Sequence, residues 1–346
     1  MDITQLSPLV DAYRRAPEEF HATRYWQTYE QQILDELRRI DITRIRSGEY
    51  PILGTFGFGD TVYVYHPHEA VWRRAVKKFV HRYVLKDRGI LPYRLDLRSL
   101  QRMAYHQCEL VGELSSAKPV SELEMSTFGG PADQFEIDGR AYSVQFLNFY
   151  VRYCFAHRYI RFTGKETVVE LGSGSGTQIE VLKRLYPDLT ILCFDMPAQL
   201  FLCEQYLSNA LDSRIVSSRE TIDWNDLSKV RPGHIHFLGN WQFPLLERLE
   251  YDCFWNAASF GEMEPAIVSN YLHYAMPGAK WVYLMQARHG KETRAKARVE
   301  QSTRFDDYDR FLAGFDLVES HDAWTSLGPL SQSGSYFEAI WKRAHS

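Results

Sequence analysis

Val168-Val169-Glu170-Leu171-Gly172-Ser173-Gly174-Ser175-Gly176, with Ile191-Leu192-Cys193-Phe194-Asp195 following after a helical interval, decides how the rest of this chain is read. An apolar run that breaks into a glycine-rich turn, continues with helical periodicity and returns as a second apolar run ending in a carboxylate is one strand–helix–strand unit. Small residues at the C-terminal end of a parallel strand let a ligand approach the backbone, and the helix start that follows offers free N–H groups. Asp195 stands where such units hold ribose hydroxyls. The stretch predicts a site for a nucleoside-containing cofactor.

Downstream of Glu166, strand-like and helix-like segments alternate, the signature of an open, mostly parallel sheet covered on both faces. The pattern predicts strands at Thr167 to Leu171, Thr190 to Phe194, His234 to Leu238, Tyr251 to Ala257, Lys280 to Gln286, Phe315 to Ser320 and Tyr336 to Arg343. Helices fit at Gln178 to Leu185, Ala198 to Leu211, Pro265 to Ala275 and Asp306 to Ala313. The loop His321 to Ser335 holds no helical pattern, so the last two strands form a hairpin and the final strand runs antiparallel.

Upstream, Asp138-Gly139 marks a hairpin turn within 134–144, followed by a long aromatic helix from Val144 to about Arg161. Apolar residues at helical spacing predict an amphipathic helix from Thr23 to Arg46, and a second helix is expected from His68 to Leu85. Between these two, Gly54, Gly57 and Gly59 lead into a short strand around Val62 and Val64. The Ser-, Pro- and Gly-rich segment Ser116 to Pro131 is read as a domain boundary or an active-site loop. The expected organisation is a mainly helical region 1–130, forming a lid, acceptor pocket or oligomerisation surface, and a cofactor-binding domain 131–346.

Composition narrows the function. A net charge of −4 lacks the concentrated positive field that nucleic-acid backbones require. No apolar run reaches the length of a membrane span, and the N-terminus shows no signal-peptide pattern. The five cysteines form no Cys-x-x-Cys pair, which favours a reducing compartment and a cytoplasmic location. The scattered His and Asp residues have no spacing that demands a cation, so no metal ligands are assigned.

The glycines run Gly172-x-Gly174-x-Gly176, whereas the dinucleotide fingerprint sets its third glycine three positions after the second. With Glu170 before them, they resemble the first motif of the class I S-adenosylmethionine-dependent methyltransferases, an acid followed by x-Gly-x-Gly-x-Gly. The resemblance spans Glu166 to Arg343. It implies a Rossmann-like doubly wound fold with an antiparallel last strand, S-adenosyl-L-methionine as cofactor, and Asp195 as the ribose acid. Phe194-Asp195-Met196-Pro197 with its helix, the run from Asn256 to Met263 and the segment Phe128 to Tyr142 are similar to the putative sugar O-methyltransferases. That narrower resemblance implies a sugar hydroxyl of a glycan, nucleotide-sugar or glycosylated natural product as acceptor.

Ligand-contacting residues gather at the C-terminal ends of parallel strands. Glu170, Gly172, Gly174, Gly176, Asp195, Met196, Asn240, Trp241 and Asn256 are therefore expected at the cofactor. A sugar hydroxyl needs a base to accept its proton. His289 is the first choice because imidazole titrates near neutrality, and Glu262 the second. Tyr142, Asn148, Arg152 and Arg288 are expected at the acceptor, with the basic run through Arg304 able to grip an anion. A homo-oligomer is compatible with the sequence. Two other readings share these features: an NAD(P)-dependent oxidoreductase, and a non-catalytic methyltransferase-like binding protein.

Overall fold

The computed structural model describes residues 3–21, 24–58, 72, 76, 97–212, 214–290, 301–329 and 336–344. Helices α1 (Leu6–Arg15), α2 (Arg24–Glu36) and α3 (Leu97–Leu114) precede a hairpin of β1 (Phe135–Ile137) and β2 (Arg140–Tyr142). Helix α4 (Val144–Ile160) then leads into β3 (Thr167–Leu171), α5 (Thr177–Leu185), β4 (Thr190–Asp195), α6 (Pro197–Ala210), β5 (Ile215–Val216), α7 (Ser218–Thr221) and β6 (Ile235–Gly239). The chain continues as β7 (Tyr251–Ala257), α8 (Pro265–Ala275), β8 (Ala279–Ala287), α9 (Asp307–Phe311), β9 (Phe315–Asp322), the ribbon β10 (Trp324–Thr325) and β11 (Gly328–Pro329), and β12 (Tyr336–Arg343).

One eight-stranded sheet runs in the order β5-β6-β4-β3-β7-β8-β12-β9. Strands β5, β6, β4, β3, β7 and β8 pair parallel, while β12 pairs antiparallel with both β8 and β9, as the terminal hairpin requires. The strands carry apolar side chains on both faces because both faces are covered. Val168, Cys193, Trp255 and Tyr283 belong to one apolar cluster, and their neighbours Val169, Phe194, Phe254 and Leu284 to another on the opposite face. The architecture is a Rossmann-like α/β fold.

Local chemistry places the ends of the elements. In the β1–β2 hairpin, Asp138 and Gly139 both take positive φ (50° and 76°), the combination a two-residue turn needs. Ser143 caps α4 by accepting from the Phe146 N–H at 3.1 Å, and proline opens α6 and α8.

The helix expected from Thr23 to Arg46 ends at Glu36, and short 3-10 turns follow at Leu37–Arg39 and Ile42–Arg44. Asp41 explains the second turn, since its carboxylate accepts from the Thr43 N–H at 3.0 Å and competes with helix continuation. The segment Ser116 to Pro131 is neither a linker nor a cavity loop. Val120, Leu123 and Met125 are buried in the main core, and the Met125 N–H donates to Ala141 O at 2.8 Å. Core residues on both sides of residue 130, such as Leu100 and Tyr150, share one cluster. The expected strand at Val62 and Val64, Gly59 and nearly all of the helix expected from His68 to Leu85 lie outside the described residues.

A buried carboxylate fastens the N-terminal region to α5, the helix that follows β3. Glu180 accepts from the Ser126 N–H (2.7 Å), Arg184 Nε (2.9 Å) and Tyr206 OH (2.6 Å). Arg46 completes the cluster, donating to Tyr206 OH at 2.8 Å and to Ser126 O at 3.2 Å. Arg46→Ala leaves these buried acceptors short of a donor and is expected to lower stability by about 2 kcal/mol. Urea unfolding checks this, as a lower midpoint at unchanged slope.

Candidate functional site

The turn after β3 is built for close approach. Gly172, Gly174 and Gly176 have φ of 79°, 52° and 75°, values that L side chains rarely adopt. A Cβ at Gly172 would stand 2.9 Å from Ser259, and one at Gly176 would stand 2.9 Å from Cys203 Sγ and Leu207. The Gly174 N–H donates to Asp195 Oδ2 at 3.1 Å, and Asp195 Oδ1 accepts from the Met196 N–H at 2.8 Å. The carboxylate at the end of β4 thereby fixes the glycine turn at the end of β3.

These elements line a cavity of about 390 Å³ at the C-terminal edge of the sheet. The structure brings Glu170, Gly172, Gly174, Asp195, Met196, Asn240, Asn148, Arg152 and Glu262 to its wall. The N-terminal region covers it with Phe20, His21, Trp26, Gly54 and Gly57, where Gln145 Nε2 donates to Gly57 O. No residue of Ser116 to Pro131 lines it.

Six of the expected site residues lie elsewhere. Gly176 begins α5 and packs beneath the turn. Asn256 is fully buried, donating to Leu171 O (2.7 Å) and Ser259 Oγ (2.6 Å) while accepting from Gln286 Nε2 (2.5 Å), so it clamps the loop after β7. Trp241 folds back on Gly239 and meets the Tyr13 ring at 5.9 Å. Tyr142 is a core side chain, 1% exposed, with its OH on Val120 O and its ring against Tyr105. Arg288 pairs with Asp322 at 3.2 Å and covers the Phe305 ring. His289 is exposed on the turn after β8, outside the cavity wall. Lys291, Arg294, Lys296 and Arg298 of the basic run lie outside the described residues.

Sequence reasoning missed Gln199 and His21. Gln199, two residues past Pro197 in the first turn of α6, is 3% exposed in the cavity wall with neither side-chain atom hydrogen-bonded. Its motif was visible, its direction was not. His21 Nε2 donates to Tyr13 O at 3.1 Å. No local pattern marks that histidine.

Buried carboxyls line the cavity floor. Burial pushes the Glu170 carboxyl up to about 8, reinforced by the Asp195 charge and opposed by Arg152. Burial likewise raises Asp195 to about 6 against the pull of its backbone N–H donors. The Arg152 guanidinium lies 4.4 Å from the Phe149 ring centroid. On the same sheet face as Glu170, Glu338 is buried and raised to about 8, taking a 2.5 Å hydrogen bond from Tyr283 OH. Among the described residues no three His, Cys, Asp or Glu side chains gather as metal ligands, all five cysteines are free and buried, and no helix is long and apolar enough to cross a membrane.

No protein-family model matches the chain, and no curated protein matches it. Solved structures of similar architecture include an S-adenosylmethionine-dependent methyltransferase from Clostridium acetobutylicum (10% identity, 57% of this chain and 90% of that one, TM-score 0.37). A putative methyltransferase of Haloferax volcanii, solved with its Trm112 activator, is similar over 57% of this chain and 91% of that one at 14% identity and TM-score 0.41. A mitomycin 7-O-methyltransferase is similar over 99% of this chain and 73% of that one at 12% identity and TM-score 0.37. What the cavity binds has to be read from its own side chains.

Carboxyls whose folded pKa lies above the unfolded value stabilise the fold fully below the unfolded value, and lose that contribution as pH rises through the folded one. Raising the pH from about 4.5 to 8 is therefore expected to destabilise the ligand-free protein. Glu338→Gln, which cannot ionise, is expected to flatten this dependence by on the order of a few kcal/mol across the window. Urea midpoints at pH 5 and pH 8 for both proteins check it.

Proposed function

We propose that this chain is an S-adenosyl-L-methionine-dependent O-methyltransferase acting on a sugar hydroxyl of a glycan, nucleotide-sugar or glycosylated natural product. The observation that carries the reading is the left-handed Gly172–Gly176 turn hydrogen-bonded to Asp195 in the wall of one cavity. The residues fit the cofactor. The glycine turn and Asp195 would hold the ribose, Asn240 the base, and Glu170 with Arg152 the charged amino-acid end. When bound, the cofactor supplies an electrophilic methyl group on a sulfonium.

The remaining work falls to the protein. Phe20, Trp26 and Phe149 wall the cavity with rings, which suits the apolar faces of a sugar and excludes water. Asn148 has its Oδ1 held by the Ser326 N–H and Oγ at 2.8 Å each, so its amide N–H groups are left for an acceptor oxygen. Glu262, 6% exposed at the cavity wall, is the base in this proposal in place of His289.

S-adenosylhomocysteine is expected to bind by calorimetry, and Gly174→Val or Asp195→Ala to abolish that binding. Retained affinity in both variants would overturn the cofactor assignment. Because burial raises the Glu170 carboxyl to about 8 in the empty cavity, an arriving ammonium group is expected to release a proton from it at pH 7. Binding enthalpies in buffers of different ionisation enthalpy measure this, and Glu170→Gln should remove it. Glu262→Gln is expected to cut methyl transfer to a panel of labelled glycan and nucleotide-sugar acceptors by roughly 10²–10⁴-fold with unchanged S-adenosylhomocysteine affinity. His289→Ala should keep wild-type turnover.

A further inference from the structure

Two buried amides join the glycine turn to the loop that carries Glu262. The Gly261 N–H donates to Gln286 Oε1 at 3.1 Å, Gln286 Nε2 donates to Asn256 Oδ1 at 2.5 Å, and Asn256 Nδ2 donates to Leu171 O at 2.7 Å. The direction of this chain is fixed at both ends, because a backbone N–H can only donate and a carbonyl can only accept. Asn256 Nδ2 also donates to Ser259 Oγ at 2.6 Å. Both amides are buried, so a broken link leaves its partners unsatisfied. The loop they hold is strained: Ala258 has φ at 63°, with its N–H on Met285 O at 2.7 Å, and the Glu262 N–H closes the loop on Ser259 O at 3.1 Å. A residue in that conformation persists only where its surroundings over-determine it, and Asn256 on β7 with Gln286 on β8 supplies that constraint.

We propose that Gln286 and Asn256 are positioning residues: through Gly261 and Ser259 they hold the strained Ala258–Glu262 loop so that Glu262 meets the acceptor hydroxyl. Ala258, Ser259 and Glu262 line the cavity, whereas Gln286 and Asn256 stand behind it. The amide chain ends on the carbonyl just before Gly172, so the loop that carries the base is registered against the turn that holds the methyl donor. In-line transfer depends on that fixed spacing. This rests on the reading of Glu262 as the base given above.

Gln286→Met keeps the bulk of the side chain and removes both of its links. Methyl transfer from labelled S-adenosyl-L-methionine to the panel of glycan and nucleotide-sugar acceptors is expected to fall by roughly 10²-fold, with S-adenosylhomocysteine affinity unchanged. In a Glu262→Gln background the same change should cost nothing further, because it acts through Glu262. Gln286→Glu can accept from Gly261 but can donate to Asn256 only as the protonated acid, so its turnover relative to wild type is expected to rise as the pH falls. Hydrogen exchange reads the contact without any acceptor: the Gly261 amide should be protected in the wild-type protein and lose that protection in Gln286→Met. Wild-type protection or full turnover in Gln286→Met, an equal loss in the Glu262→Gln background, or loss of S-adenosylhomocysteine binding would each overturn the proposal. Methyl transfer by the wild-type protein to no member of the panel would instead overturn the function above, and the exchange result would still decide whether Gln286 holds the loop.

Discussion

Glu180 is a carboxylate with no exposed side-chain surface, one turn into the helix that the glycine turn opens. A buried charge is tolerated only when its oxygens are satisfied, and here the donors come from a loop, a neighbouring helix and its own helix. Arg46 adds the N-terminal region through the shared Tyr206 hydroxyl. The cradle that approaches the ligand and the segment that covers it are thus locked to one point. A sheet of this kind leaves its C-terminal edge open to solvent; here the cover turns that edge into a cavity.

Within the cavity the protein keeps polar groups in states they would not hold in water. Glu170 and Asp195 are pushed toward their neutral forms by burial, and both amide atoms of Gln199 and the Oδ1 of Asn240 have no hydrogen-bond partner. Ala258, between β7 and Ser259 in the cavity wall, holds φ at 63°, a conformation that alanine adopts at a cost. These costs cluster at one place and are balanced by two well-packed apolar layers on the faces of the sheet. Such clustering is what a binding site imposes on a fold.

The sheet was legible because each strand announces itself locally. Tyr251–Ala257 and Tyr336–Arg343 are apolar runs between turn residues, and β3 ends where glycine begins, so their limits follow from the sequence. Strand β5, two residues long at the edge, is too short to leave such a pattern. Helix α3 went unassigned although it packs on α4. At the site, Glu170, Asp195 and Asn240 follow from strand ends, which local pattern predicts. Tyr142 and His289 were misplaced, and His21 was missed, because their positions depend on how the N-terminal region folds over the sheet. Helical spacing did place Asn148 and Arg152 together on the cavity wall.

The bond from Asn240 to Phe20 joins residues 220 positions apart, and that from Arg46 to Tyr206 spans 160. During synthesis at about 5–20 residues per second, Phe20 is made roughly 10 to 40 s before its partner exists. Until β3 and β4 are made, at residues 167–195, Phe20, Ile33 and Leu37, all buried in the finished protein, have no sheet to pack against. The cavity is therefore among the last features to form on the nascent chain. The N-terminal region must stay unaggregated until the ribosome has delivered the sheet it will cover.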